Sequence, residues 1–310
     1  MLLETLINPK PKTIVYFIVF SVIFLSLPLF KISGGEYDLT AYYIIFFFSS
    51  IIILLLHAFG LNNVIYKNNI IKKENLIIAT VFILLNAFNY GVFQNLISSF
   101  LMLFFINYLF ESYQKEYPFK EIFNASFILS LIVYLNPIML IMYVLVILCS
   151  LIFNYANWRC YFISILGFFT PYLLYMLCLS IMNNPINPLT LYKVPILSFS
   201  YAEVIDFYNS NQIILFIILS IILISLFEFL GWLYKKSIRS RKSFFILLSY
   251  LLISVLIGCF GEADDWYLIL SPLSVFIANY FTYTKKRNLA NILFYVFIFT
   301  SCYYRCLVVI

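Results

Sequence analysis

Charge is what this sequence has least of. Lys and Arg together number 19, Asp and Glu 13 and His 1 in 310 residues, so charged residues make up only 10% of the chain. A water-facing surface needs far more charge than that, and a mean hydropathy of +1.02 excludes a soluble domain. The lone His and the six Cys (Cys149, Cys160, Cys178, Cys259, Cys302, Cys306) form no Cys-x-x-Cys pair and no Cys/His cluster. A zinc or iron–sulfur site therefore has no spacing to stand on, and the thiols read as small buried or lipid-facing groups. Glycine is scarce as well, at 8 residues. There is no Gly/Ser-rich linker, no internal repeat and no polar stretch long enough for a separate soluble domain, so residues 1–310 are expected to form a single integral membrane domain. The opening MLLETLINPKPK lacks a charged n-region leading to an Ala-x-Ala cleavage site. The first span is expected to remain as an anchor.

What the chain does have is long apolar runs, 64% hydrophobic residues in all. A crossing helix needs about 20 apolar residues at roughly 1.5 Å rise each. That ruler predicts an all-α fold, a polytopic transmembrane helix bundle of eleven spans: 13–30, 41–60, 76–89, 95–110, 122–135, 138–154, 160–182, 212–233, 243–260, 266–283 and 289–304. Merging the two short pairs, which are split at Asn86-Ala-Phe-Asn-Tyr-Gly91 and at Asn136-Pro137, would give nine. The split is preferred because Asn-Pro and Asn-Tyr-Gly are turn signals and an unbroken helix of 30 residues would be about 45 Å long.

The basic residues set the orientation. With the N-terminus inside, the clusters Lys10/Lys12, Lys67/Lys72/Lys73, Lys235/Lys236/Arg239/Arg241/Lys242 and Lys285/Lys286/Arg287 all fall on the cytoplasmic side. Only Lys31, Lys193 and Arg305 fall outside. The net charge of +6 is explained by this loop bias, so nucleic acid is not an expected partner, whereas membrane lipids are.

The external loops hold the acids of chemical interest. Lys31-Ile-Ser-Gly-Gly-Glu-Tyr-Asp38 places Glu36 and Asp38 at i and i+2, on one face of an extended segment, where they can share a proton, a cation or an acceptor hydroxyl. The competing reading is a solvated loop whose acids merely favour the outer side. Gly261-Glu-Ala-Asp-Asp-Trp-Tyr267 gathers three carboxylates within four positions. Hard divalent cations take carboxylate oxygens, so Asp264 and Asp265, with Glu36 or Asp38, are candidate ligands for such an ion. Residues 183–211 read either as a lid or lipid platform carrying Lys193, or as a packed connection. His57 and Glu228 lie near span ends and are expected to be structural, through snorkelling or hydration. Asn86, Asn89, Asn107, Asn124 and Asn136 read as interhelical hydrogen-bonding groups or turn formers.

Four stretches resemble the membrane module of GT-C type glycosyltransferases. They are the acidic pair Glu36 and Asp38 after the first span, the short middle spans around Phe123-Asn-Ala-Ser-Phe127 and Tyr134-Leu-Asn-Pro137, the run Gly167-Phe-Phe-Thr-Pro171, and Trp266-Tyr-Leu-Ile-Leu-Ser-Pro272 leading to Ala278-Asn-Tyr280. In that family the late stretch usually begins Arg-Tyr; here Trp266 stands where the arginine is expected. The resemblance implies a GT-C-like architecture in the bacterial cytoplasmic (inner) membrane and transfer of sugar from a polyprenyl-linked donor at its outer face. Glu36 or Asp38 would then be the catalytic base, and Lys31, Lys193, Trp266 and Tyr267 would bind substrate. A leaving phosphate needs cationic or metal stabilisation, which Lys31, Lys193 or a divalent cation would supply. The chain is also similar to a bacterial family of polytopic membrane proteins with no assigned activity. The alternative reading is accordingly a non-catalytic membrane scaffold or accessory subunit that contacts protein partners in cell-envelope assembly. A secondary transporter would call for mid-membrane ionisable positions and two related halves, and neither is legible.

Overall fold

The computed structural model describes residues 2–27, 41–88, 93–181, 219–228, 231, 236–261 and 263–307. Among these every regular element is a helix, and none is a strand. The helices are α1 (Leu2–Ile7), α2 (Pro11–Ser26), α3 (Ala41–Lys67), α4 (Ile77–Leu85), α5 (Phe93–Glu111), α6 (Phe119–Leu135), α7 (Tyr143–Phe153) and α8 (Trp158–Ile181). They continue with α9 (Leu219–Glu228), α10 (Ile238–Phe260), α11 (Leu270–Tyr283) and α12 (Arg287–Leu307). Three 3-10 segments, Asn86–Phe88, Pro137–Met142 and Ala263–Ile269, join them.

Five helices are long and apolar enough to cross a membrane: Ile45–Lys67 within α3, α5, α8, α10 and Arg287–Cys306 within α12. Shorter apolar helices are Pro11–Ser26, Pro137–Phe153 and Leu219–Glu228. On α8, Phe162, Ile165, Leu166, Phe169, Leu173, Leu174, Leu177 and Ile181 are all exposed. Water would not tolerate an apolar surface of that extent, but hydrocarbon does. The chain is therefore a helical membrane protein.

The helix breaks fall where the turn signals stand. Asn136 is extended (φ −136°, ψ 103°) because it precedes Pro137, and α6 stops there. The predicted span 76–89 is a shorter α-helix than expected. α4 has only nine residues before it tightens into the 3-10 turn at Asn86, so it is about 13 Å long, less than half the hydrocarbon thickness. All nine of its residues are buried. It is a core element enclosed by protein.

The chain divides into two compact units. Unit 1 comprises Met1–Leu96, Tyr201–Ser237 and Leu270–Ile310. Its centre is α4, wrapped by α3, α11 and α12, with α1 and α2 also in contact. α11 carries an unbroken buried run from Ser271 to Thr282, its polar Ser271, Ser274, Asn279 and Thr282 included, so the helix is enclosed on every side. Unit 2 comprises Ile97–Ser200 and Ile238–Ile269. Its main packing is α6 against α8, with α10 against α7 and against the 3-10 segment Ala263–Ile269. A Cβ on Gly167 would lie 2.6 Å from the Phe123 carbonyl oxygen, so the α6–α8 approach depends on the missing side chain. Pro171 lies inside α8 and cannot donate to the Gly167 carbonyl one turn back. The Thr170 hydroxyl donates to that same oxygen at 2.8 Å, which keeps the helix satisfied in lipid.

Candidate functional site

A buried polar site in unit 2 is built on the 3-10 segment Ala263–Ile269. α10 ends at Phe260, and the Gly261 N–H donates to the Ile257 carbonyl at 2.7 Å. The chain then tightens into the 3-10 turn, which turns Asp265 inward. Its carboxylate is 4% exposed, and Asn136 Nδ2 donates to Oδ1 at 2.6 Å. A carboxylate removed from water is tolerable only when hydrogen-bond donors reach it, and Asn136 is held in place to be one by the break before Pro137.

Two glycines let the turn close on α10. A Cβ on Gly261 would clash with Asp265 Oδ2 and sit 2.9 Å from Ile138 Cδ1, and a Cβ on Gly258 would lie 2.9 Å from the Trp266 ring. Trp266 thus lies flat on the glycine face while remaining 36% exposed. Tyr267 is 1% exposed, and its hydroxyl has no hydrogen-bond partner among the described residues. The site presents a fixed carboxylate, a half-open indole and a buried phenol.

Of the residues expected to act on substrate, Trp266 and Tyr267 adjoin Asp265 in this turn, and the backbone of Asp264 belongs to the same segment. Glu36, Asp38, Lys31 and Lys193 lie outside the described residues, as does the stretch 183–211. No three His, Cys, Asp or Glu groups come together as a metal-ligand set among the described residues. Arg305, read as an external cation, is 6% exposed and donates through Nη2 to the Leu25 carbonyl at 3.3 Å, near the end of α2. A cation at the carbonyl end of a helix is favourably placed, which gives Arg305 a structural role.

His57 does not snorkel. It is 1% exposed, its ring lies 4.4 Å from that of Phe82, and Nε2 is 3.1 Å from Ser271 Oγ. This buried pair ties α3 to α11 inside unit 1. It was not legible in the sequence because the two residues are 214 positions apart and nothing in either local stretch marks the other as its partner. Asn136 was legible as a turn former, whereas its bond to Asp265 was not.

Comparison of the chain with protein-family models, with curated proteins and with solved structures finds no match in any of the three.

Proposed function

We propose that this membrane protein is a GT-C-like glycosyltransferase that takes a polyprenyl-linked sugar at the outer face of the bacterial cytoplasmic membrane. The observation that carries this reading is the Asn136–Asp265 pair, which fixes a carboxylate beside a half-exposed tryptophan at the end of α10. Carboxylates held in membrane proteins mark functional positions, and an exposed indole is a natural platform for a sugar ring or a prenyl chain. In this reading Glu36 or Asp38 deprotonates the acceptor hydroxyl, Lys31 and Lys193 steady the donor phosphate, and Asp264 and Asp265 hold a divalent cation or orient the acceptor. Trp266 contacts substrate, while the buried Tyr267 belongs to the turn that holds it.

The test is sugar transfer from a radiolabelled polyprenyl-phosphate donor in membranes carrying the wild type, Asp38→Asn, Glu36→Gln or Asp265→Asn. Loss of the general base is expected to slow transfer by about a hundredfold or more at unchanged protein level. One observation favours the second reading, a non-catalytic scaffold for envelope assembly: Asp265 is almost wholly buried and bonded within its own unit. No transfer by the wild type across donors and acceptors, with Asp265→Asn altering only thermal stability, would establish the scaffold.

A further inference from the structure

Three lysines converge on one tyrosine in unit 1, whereas the carboxylate turn belongs to unit 2. α3 ends at Lys67 and is closed by Asn69, whose left-handed φ of 55° lets its N–H reach Tyr66 O at 2.9 Å and the Ile70 N–H reach Ile65 O at 3.1 Å. This double bond pattern at a helix end fixes the direction of the following residues. The Ile70 carbonyl accepts from Lys236 Nζ at 3.0 Å, and Asn279 Oδ1, on α11, accepts from the same nitrogen at 3.2 Å. Lys236 Nζ also lies 5.0 Å from the centre of the Tyr283 ring, and Lys73 Nζ lies 5.7 Å from that centre. The Lys72 backbone N–H donates to the Tyr283 hydroxyl at 3.1 Å, which locks the ring.

This arrangement gathers like charges. Lys72 and Lys73 are exposed, while Lys236 is half-buried. Burial, with the Lys72 charge adding to it, pushes the Lys236 ammonium down to about 6. Such crowding is unfavourable in isolation and becomes favourable once an anion sits among the cations. The position selects which anion. α3 ends at Lys67 and α11 ends at Tyr283, so the cluster lies where apolar helices give out and lipid headgroups begin.

We infer that Lys72, Lys73, Lys236 and Tyr283 form a binding site for the phosphate of an anionic lipid headgroup at the membrane surface. The exposed pair draws the phosphate in, Lys236 takes up a proton beside the anion and completes its coordination from within, and the tyrosine lines the boundary with the acyl chains. The inference rests on the membrane reading alone and stands whichever function the carboxylate turn serves.

The test uses the purified full-length protein in neutral detergent, titrated with short-chain phosphatidylglycerol, with phosphatidylcholine of the same chain length and with inorganic phosphate, binding being read by ligand-induced change in thermal unfolding. Phosphatidylglycerol is expected to bind saturably and phosphatidylcholine weakly. A lysine near an anionic surface accounts for about a fivefold change in affinity, so Lys72→Ala/Lys73→Ala should weaken binding about thirtyfold and Lys236→Met at least about fivefold. Added salt should weaken it further. Unchanged phosphatidylglycerol affinity in the double variant overturns the site, as does equal binding of phosphatidylcholine. Inorganic phosphate matching phosphatidylglycerol overturns the lipid assignment. Because Lys72 and Lys73 are exposed, the double variant decides the matter even if Lys236→Met fails to fold.

Discussion

A carboxylate and an amide 129 positions apart meet at 2.6 Å in unit 2, and the consequence of separating them follows from burial. Asn136→Ala removes a donor from a carboxylate that water barely reaches. Its expected cost is about 1–3 kcal/mol, to be read as a lowered thermal unfolding midpoint in detergent. Asp265→Asn, which keeps the shape and discharges the group, should cost less. At Lys236 the sign runs through the proton count. The folded amine holds its proton only below about 6, against an ordinary 10.5, so between those values the unfolded chain binds more protons. With Lys72, Lys73 and Tyr283 around it, the Lys236 contribution should make stability rise with pH from about 6 upward, and Lys236→Met should flatten that rise in unfolding midpoints measured across the window.

Helices in hydrocarbon gain little from burying apolar groups against each other, so close approach and satisfied backbone matter more than apolar area. The α6–α8 contact illustrates this, with Gly167 set against the Phe123 backbone. Gly167→Leu should force the two helices apart and lower the unfolding midpoint markedly, while a Leu substitution at lipid-facing Leu166 neighbours such as Ile165 should leave it unchanged; comparing the two midpoints in one detergent checks the assignment. The breaks at Asn86 and Asn136 were legible because turn chemistry is local: Pro137 restricts the backbone of the residue before it whatever surrounds it. The length of α4 was not. An apolar run looks the same whether lipid or protein covers it, and the burial of every residue from Ile77 to Leu85 is set by neighbours distant in sequence.

For the whole molecule, the basic clusters predict sidedness. Reporter fusions after Lys73 and after Lys286 should read as cytoplasmic, and one within 261–265 as external; a fusion panel with the reverse pattern would overturn the orientation.

Composition alone determined the solvent: with 10% charged residues in a chain that is 64% hydrophobic, only a bilayer can host the surface this protein presents. The positions of the cations set an expected sidedness, and the Asn86 and Asn136-Pro137 signals marked where helices end, since both are properties of short stretches. Tertiary structure decided which polar groups meet. Asp265 finds Asn136, His57 finds Ser271, and Lys236 finds Asn279 and the Ile70 carbonyl. Each pair joins positions more than 40 residues apart, and in a medium without water such partners are supplied by packing, which no local pattern encodes.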